Sequence, residues 1–383
     1  MKILLVGEYS RLHNSLKEGL IALGHDVTLI GDGDGFKNFP VDIKIYNRYQ
    51  KGFPKLIKRI IYKFFNIDLN SLAIQKQIKA HRQHLVHYDI VQVINERVFK
   101  TVPAIERQLF QFIFENNAKV FLLSCGTDYL SVKYAYDKKF KYSILTPYFE
   151  GKVSKKDFQH VFTYLKPNHI DLHKYIYKNI NGVIATDMDY HLPMIGHPKY
   201  LGLIPNPINT DRIPFEAPMI SDKIIIFHGI NTQNYYKKGN DFFEKALDYI
   251  QEKHSDKVEI ITTRSIPYEA YLKHYQKAHI LLDMVYAYDQ GYNALEAMAA
   301  GKVVFTGAEQ EWLDYYNLEK NTVAINAEPD VQQIIEQLEW LINNPEQIGI
   351  ISKNARQFIE DKHHYLKIGK QYLDAWDKKN ASL

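Results

Sequence analysis

The chain has 383 residues, 46% hydrophobic and 24% charged, with a formal net charge of +4. That is a globular composition, long enough for two domains of ordinary size. So mild a charge, with no zinc-finger or RNP-like pattern, argues against a nucleic-acid partner, and the lone Cys125 excludes an intrachain disulfide and a thiolate metal site.

The amino-terminal run alternates cleanly. KILLVG reads as a buried strand, HNSLKEGLIALGH as a helix ending at Gly24, and DVTLIG as a second strand, which together make a βαβ unit with a parallel sheet. The apolar stretch in MKILLVGEYSRLH is short for a signal peptide, and no run approaches the roughly 18 apolar residues of a spanning helix, so a cytoplasmic protein is expected. GDGDGF (31–36) lacks both the G-x-G-x-x-G spacing and the ligand pattern of a calcium loop, and reads as a turn. KGFPKLIKRIIYKFFN (51–66) spaces Phe53, Leu56, Ile57, Ile60, Ile61 and Phe64 by three and four. Lys51, Lys55, Lys58, Arg59 and Lys63 lie among them, with no acid before Asp68. Two readings stand side by side: a helix lying on an anionic membrane surface, and a core-packed helix with a basic outer face.

YDIVQVIN (88–95), AKVFLLSCGTD (118–128) and NGVIATD (181–187) read as further strands, suited to a sheet covered on both faces. KYAYDKKFKYSILTPYF (133–149) is basic and aromatic and reads as a flexible acceptor-side segment. LIPNPINTDRIPF (203–215), with three prolines and no period, reads as the linker between domains. The alternation then restarts. KIIIFHG, KVEIITT and HILLDMV are strands, NDFFEKALDYIQEKH and YEAYLKHYQKA helices, and DVQQIIEQLEWLINN and EQIGIISKNARQFIEDKH closing helices. The expected fold is α/β, two Rossmann-like doubly wound domains facing a cleft. The first would span 1–204, with a carboxyl-terminal helix near 363–380 packing back on it, and the second 205–362.

In such folds ligands bind outside the carboxyl ends of the strands. DQGYNALEAMAAGKVVF (289–305) puts a helix directly after the HILLDMV strand, opening near Tyr292 and Asn293 behind Gly291. A helix start there suits a diphosphate, and the Glu296 carboxylate one turn in suits vicinal hydroxyls such as those of a ribose. The plainer alternative is an acid complementing the helix dipole. FHGINTQNYYKKGNDFF places Lys237 and Lys238 in a loop before the next helix, where a lysine can reach phosphates held at the other helix start.

Taken in order, LIPNPINTDRI, HGI…KKGNDFFEKAL, P…Y…YQKAHILLD, GYNALEAMAAGKVV and NARQFIEDKH resemble the nucleotide-sugar-binding domain of family 4-like retaining glycosyltransferases with the GT-B fold. The resemblance is good over about 200–365, extends to 1–45, and holds only in outline over 46–180. It implies that Glu296 binds the donor ribose, that Lys238 contacts the diphosphate, and that Gly291, Tyr292 and Asn293 form the loop facing the phosphates. Gly229, Asn231, Tyr288 and Asp289 complete the expected donor side. The sequence departs from the family at three places. Tyr288, with Asp289 beside it, stands where a second glutamate is usual. Ile230 stands in place of an arginine, and Cys125 in SCGTD in place of a histidine.

On the first domain, Gly7, Glu8, Ser10 and His13 follow the first strand, and Cys125 and Asp128 follow a later one. These are the acceptor-side candidates; helix capping and polar surface are the alternative for Glu8 and His13. The expectation is a metal-independent transfer of a sugar, with retention, from a nucleotide-diphosphate donor that is a substrate rather than a cofactor. The acceptor would be a hydroxyl of a glycan or lipid-linked molecule, in cell-surface polysaccharide or glycolipid synthesis. The enzyme would be cytoplasmic, with peripheral contact on the inner membrane face through 51–66. A non-catalytic nucleotide- or sugar-binding relative and a nucleotide-sugar 2-epimerase remain the alternatives.

Overall fold

A computed structural model describes residues 1–49 and 52–378, so Lys51, and residues 379–380 of the expected last helix, lie outside the described residues. Two compact units emerge. The first comprises 1–133, 160–207 and 365–383; the second comprises 134–159 and 208–364.

In the first unit the strands are β1 (Lys2–Val6), β2 (Asp26–Gly31), β3 (Ile43–Lys44), β4 (Ile90–Val93), β5 (Lys119–Ser124), β6 (Gly182–Ala185) and β7 (Tyr200–Leu203). They form one parallel sheet in the order β3-β2-β1-β4-β5-β6-β7. Ile3, Leu4, Leu5, Val91, Val93 and Leu123 are all buried, as short apolar runs become when both faces of a sheet are covered. The order of strands reverses between β1 and β4, which makes their carboxyl ends the natural ligand crevice of this unit. The helix Tyr365–Asp377 packs against the helix Leu12–Ala22, and Trp376 Nε1 donates to Gln92 Oε1 of β4 at 2.8 Å, so the end of the chain completes the unit built by its start.

The turn after β1 tolerates little change. Gly7 has φ +89°, and a Cβ there would lie 2.4 Å from Ile94 Cγ2 and 2.5 Å from Val98 Cγ2. Gly7→Ala therefore combines a left-handed backbone with a clash, and is expected to cost about 2–3 kcal/mol in denaturant unfolding. A loss below ~0.5 kcal/mol, the ordinary surface value, would show that the turn is not constrained in this way.

The second unit holds β8 (Ile224–Ile230), β9 (Val258–Arg264), β10 (Ile280–Leu282), β11 (Val303–Thr306) and β12 (Ile325–Asn326), a parallel sheet in the order β12-β11-β10-β8-β9. Its reversal lies between β8 and β10. The region read as a linker is mostly buried. Ile204, Asn206, Ile208, Asn209 and Thr210 are all covered, and Ile208 pairs with His364 while its N–H donates to His363 O at 2.7 Å. Within this region, Ile213 O accepts from the Arg356 guanidinium at 2.7 Å, so a backbone carbonyl that no strand uses is satisfied by a side chain; the same group donates to Ala299 O at 2.9 Å, outside the region.

Two expectations change. Segment 134–159 belongs to the second unit and is not a flexible loop: Tyr142, Ser143 and Leu145 are buried. The basic stretch does form a helix, Gly52–Phe65, and none of its residues is buried. Phe53 (73% exposed), Leu56, Ile60 and Phe64 (72%) all face solvent, which removes the core-packed reading.

Candidate functional site

The carboxyl ends of β8 and β10 gather most of the donor-side candidates. After β8 the chain runs through a short 3-10 turn, Thr232–Asn234, in which Asn231 Oδ1 accepts from Gln233 N at 3.0 Å. Lys238 N then donates to Asn234 O, and Gly239, at φ +70°, caps the helix Asn240–His254. A Cβ on Gly239 would come 2.6 Å from Val285 Cβ, so only glycine lets the lysine loop lie against the segment after β10. Val285 N donates to Lys238 O at 2.9 Å and holds that contact.

Side chains complete the link. Lys238 Nζ lies 2.8 Å from Asp283 Oδ1, and Asn293 Nδ2 donates to the same oxygen at 2.9 Å. Tyr271 Oη in turn donates to Asn293 Oδ1 at 2.9 Å. Gly229 makes room for this row, because a Cβ there would meet the Tyr271 ring at 2.4 Å. The Lys238 side chain remains 29% exposed while that of Asp283 is 4% exposed, so the carboxylate orients the ammonium and leaves part of it facing outward. Below the row, His228 is fully buried on β8, with Nε2 2.8 Å from Asn240 Oδ1 and its pKa lowered to about 4 by burial.

The helix after β10 runs Tyr292–Ala299, with Gly291 as its extended N-cap. It starts earlier than the apolar run Ala294–Ala300 alone suggests, so Glu296 stands in the second turn, half-buried, and the first turn carries no acid. Gly291 is exposed, and Tyr292 and Asn293 are half-buried. Ile230 is buried in the sheet.

Tyr288 and Asp289 differ from that pattern. Tyr288 is only 2% exposed, and its hydroxyl accepts from Lys141 N at 2.7 Å. Its ring packs on Phe140 and Tyr142, with centroids 5.1 and 5.8 Å away. As placed, the side chain is committed to segment 134–159 and not presented to a ligand. Asp289 is buried as well.

In the first unit, Gly7, Glu8, Ser10 and His13 meet at the carboxyl end of β1. Glu8 is 1% exposed; its Oε2 accepts from Asn14 N at 2.9 Å and Asn14 Nδ2 at 2.5 Å. Burial raises its pKa to about 7, against the Asn14 hydrogen bonds, which lower it. His13 is fully buried, with Nδ1 2.7 Å from Gly7 O and its pKa lowered to about 4 by burial. Among the described residues Glu8 Oε1 and His13 Nε2 have no hydrogen-bond partner. Ser10 sits at φ +49°, its N–H donating to Asp34 Oδ2 at 2.9 Å. Cys125 is buried, with Sγ donating to Ile94 O at 3.0 Å, and burial raises its pKa. Asp128 Oδ1 accepts from Ser131 N at 2.8 Å, Oδ2 accepts from Ser124 Oγ, and burial raises its pKa too. All six candidates lie at strand ends, and Glu8, His13, Cys125 and Asp128 are inward-facing.

The sequence pointed to Lys238, Asn293 and Glu296 but not to Asp283, Tyr271, Tyr142 or Glu309. Asp283 had a signal: it is the first polar residue after the apolar run HILL. The other three are known only from packing.

Two parallel-sheet α/β units of this kind define the GT-B fold class. Residues 235–374 match a family described as glycosyl transferase-like. Among solved structures, sucrose-phosphate synthase from Thermosynechococcus elongatus is similar at 15% identity and a TM-score of 0.63, with 98% of each chain covered. Anabaena HepE in complex with UDP and glucose is similar at 14% identity and 0.58, covering 99% of this chain and 100% of that one. TarM is similar at 11% identity and 0.58, with 98% of each chain covered. No curated protein matches the chain in sequence.

Proposed function

We propose that this protein is a glycosyltransferase that moves a sugar from a nucleotide-diphosphate donor to a hydroxyl of a glycan or lipid-linked acceptor, with retention and without a metal. The observation that carries the reading is the row Lys238–Asp283–Asn293 beside the helix opening at Gly291, all outside the carboxyl ends of β8 and β10. A positive helix end and an oriented ammonium suit the growing charge on a departing diphosphate. Glu296 is assigned to the ribose hydroxyls, as an anchor for position and not as an acid or base. The match of 235–374 to a glycosyl transferase-like family, and a structural neighbour solved with UDP and glucose, support the same reading. Glu8, Ser10, His13 and Asp128 are assigned to the acceptor side, where Glu8 Oε1 and His13 Nε2 are buried with no hydrogen-bond partner among the described residues. Donor binding by calorimetry and turnover by nucleoside-diphosphate release, over a panel of nucleotide sugars, test the assignment. Glu296→Ala is expected to weaken donor binding about tenfold or more, as loss of a charged hydrogen bond does. Conversion of donor without acceptor would favour the epimerase reading, and unchanged donor binding would remove the site.

The same reading includes a peripheral membrane contact through the helix Gly52–Phe65. No helix among the described residues is long and apolar enough to cross a membrane. This one instead exposes an apolar face next to Lys55, Arg59 and Lys63, which suits the surface of anionic lipid. Vesicle flotation should show binding to anionic but not zwitterionic vesicles, and Phe64→Ser should cut it about thirtyfold, given ~2 kcal/mol for burying a Phe side chain. Equal recovery with both vesicle types would end the proposal.

A further inference from the structure

The chain enters the second unit at Tyr134 and leaves it after Gln159, long before the main body of that unit begins at Ile208. This early segment forms a strap over the loop 283–291. Lys141 N donates to Tyr288 Oη at 2.7 Å, and Tyr142 Oη donates to Glu309, which also accepts from Asn326 Nδ2 at 2.7 Å. Lys141 Nζ lies 2.8 Å from Glu328 Oε2, and Lys152 Nζ lies 3.1 Å from Asp241 Oδ2 and 4.3 Å from the centre of the Phe242 ring. Tyr142, Tyr286 and Tyr288 are all buried between strap and loop.

The loop has no strand or helix of its own to fix it. Its other side rests on the turn after β11, where Gln290 Nε2 donates to Gly307 O at 2.7 Å and Glu309 N donates to Tyr288 O at 3.1 Å. Its two ends carry the groups that matter. Asp283 orients Lys238 and Asn293, and Gly291 opens the helix that holds Glu296. Of the bonds that hold the strap to the loop and to the turn behind it, that to Glu309 is buried and that to Tyr288 part-buried, whereas that of Lys141 Nζ, on a side chain 57% exposed, is screened by water.

We propose that Lys141 and Tyr142 are positioning residues of the donor site, acting through Tyr288 and Glu309 to set the 283–291 loop. The role rests on the nucleotide-donor reading above. Tyr288, which interrupts the family's usual glutamate, is then the anchor for an element the sequence places in the first domain.

The test uses the full chain and the variants Tyr288→Phe and Tyr142→Phe, which remove one hydroxyl each and keep the ring. Amide hydrogen exchange over 283–293, calorimetric affinity for UDP, and the KM for donor and for acceptor are measured. The expected result is faster exchange in 283–291, UDP affinity lowered about tenfold, and a raised donor KM with the acceptor KM unchanged. Should either variant fail to fold, Glu309→Gln provides the same readouts. Exchange and UDP affinity both within twofold of the parent would overturn the proposal, as would faster exchange with unaltered UDP binding. A parent protein that binds no nucleoside diphosphate would overturn the donor reading instead, and exchange alone would then decide whether the strap sets the loop.

Discussion

Lys238→Ala is expected to lower donor turnover by two to three orders of magnitude. A charge-assisted bond to a diphosphate contributes about 1.5–3 kcal/mol, and more where charge grows in the transition state. The substitution also strands Asp283, whose side chain is 4% exposed and keeps only the bond from Asn293 Nδ2. Removing one partner of a buried ion pair costs ~3–5 kcal/mol, and the 29% exposure of Lys238 reduces that figure through solvent screening. The two losses separate in the double variant Lys238→Ala/Asp283→Asn. Stability should largely return, because a neutral amide replaces the stranded carboxylate, while turnover should stay low. If stability returns and turnover returns with it, Lys238 has no role in the reaction beyond neutralising Asp283.

Acid should unfold this protein earlier than its carboxylates alone require. His13, His169 and His228 are buried, and burial lowers each pKa to about 4. In the unfolded chain each titrates near its ordinary value of about 6.5. Between those two values the unfolded state binds more protons, so stability is complete above about pH 6.5 and falls as pH drops toward 4, by about 3 kcal/mol per histidine. Glu8 acts in the opposite direction. Its folded pKa, raised to about 7, favours the protonated folded form, so its contribution is full below the unfolded value and lost as pH rises through 7. Glu106, Asp128 and Asp187, whose pKa burial also raises, oppose the fall in the same way, so the histidine contribution is read from a single variant. His228→Gln keeps an N–H donor for Asn240 Oδ1 but does not titrate, and should flatten the curve of unfolding free energy against pH by about 3 kcal/mol. An unchanged curve would mean that His228 takes up a proton as readily in the folded protein as in the unfolded chain.

The residues differ in how openly they announced themselves. β1, β2, β8 and β9 were legible because short apolar runs alternate with amphipathic helices, and a parallel sheet demands that alternation. The row outside β8 and β10 was half legible: Lys238 and Asn293 stand in a local pattern, but their partners Asp283 and Tyr271 are fixed by strand order. β3 and β12, of two residues each, carry too little pattern to be seen. Segment 134–159 was illegible in principle. Its aromatic and basic residues have neither period, because several are fixed by partners far along the chain, as Lys141 is by Tyr288 and Tyr142 by Glu309 at a separation of 167. The helix Gly52–Phe65 is the reverse case, a perfect helical period that burial then failed to use.

The order in which a ribosome delivers this chain works against finishing either half early. Lys141 emerges 147 positions ahead of the tyrosine that accepts its N–H, and Gln92 waits 284 positions for Trp376. Contacts of such long span are slow to form, and nascent intermediates must leave apolar surface uncovered in the meantime. The second unit therefore waits for residues 208–364 to join its early segment and the first waits for the last helix, and a gene cut at the linker would yield two pieces, each missing a part that only the other encodes.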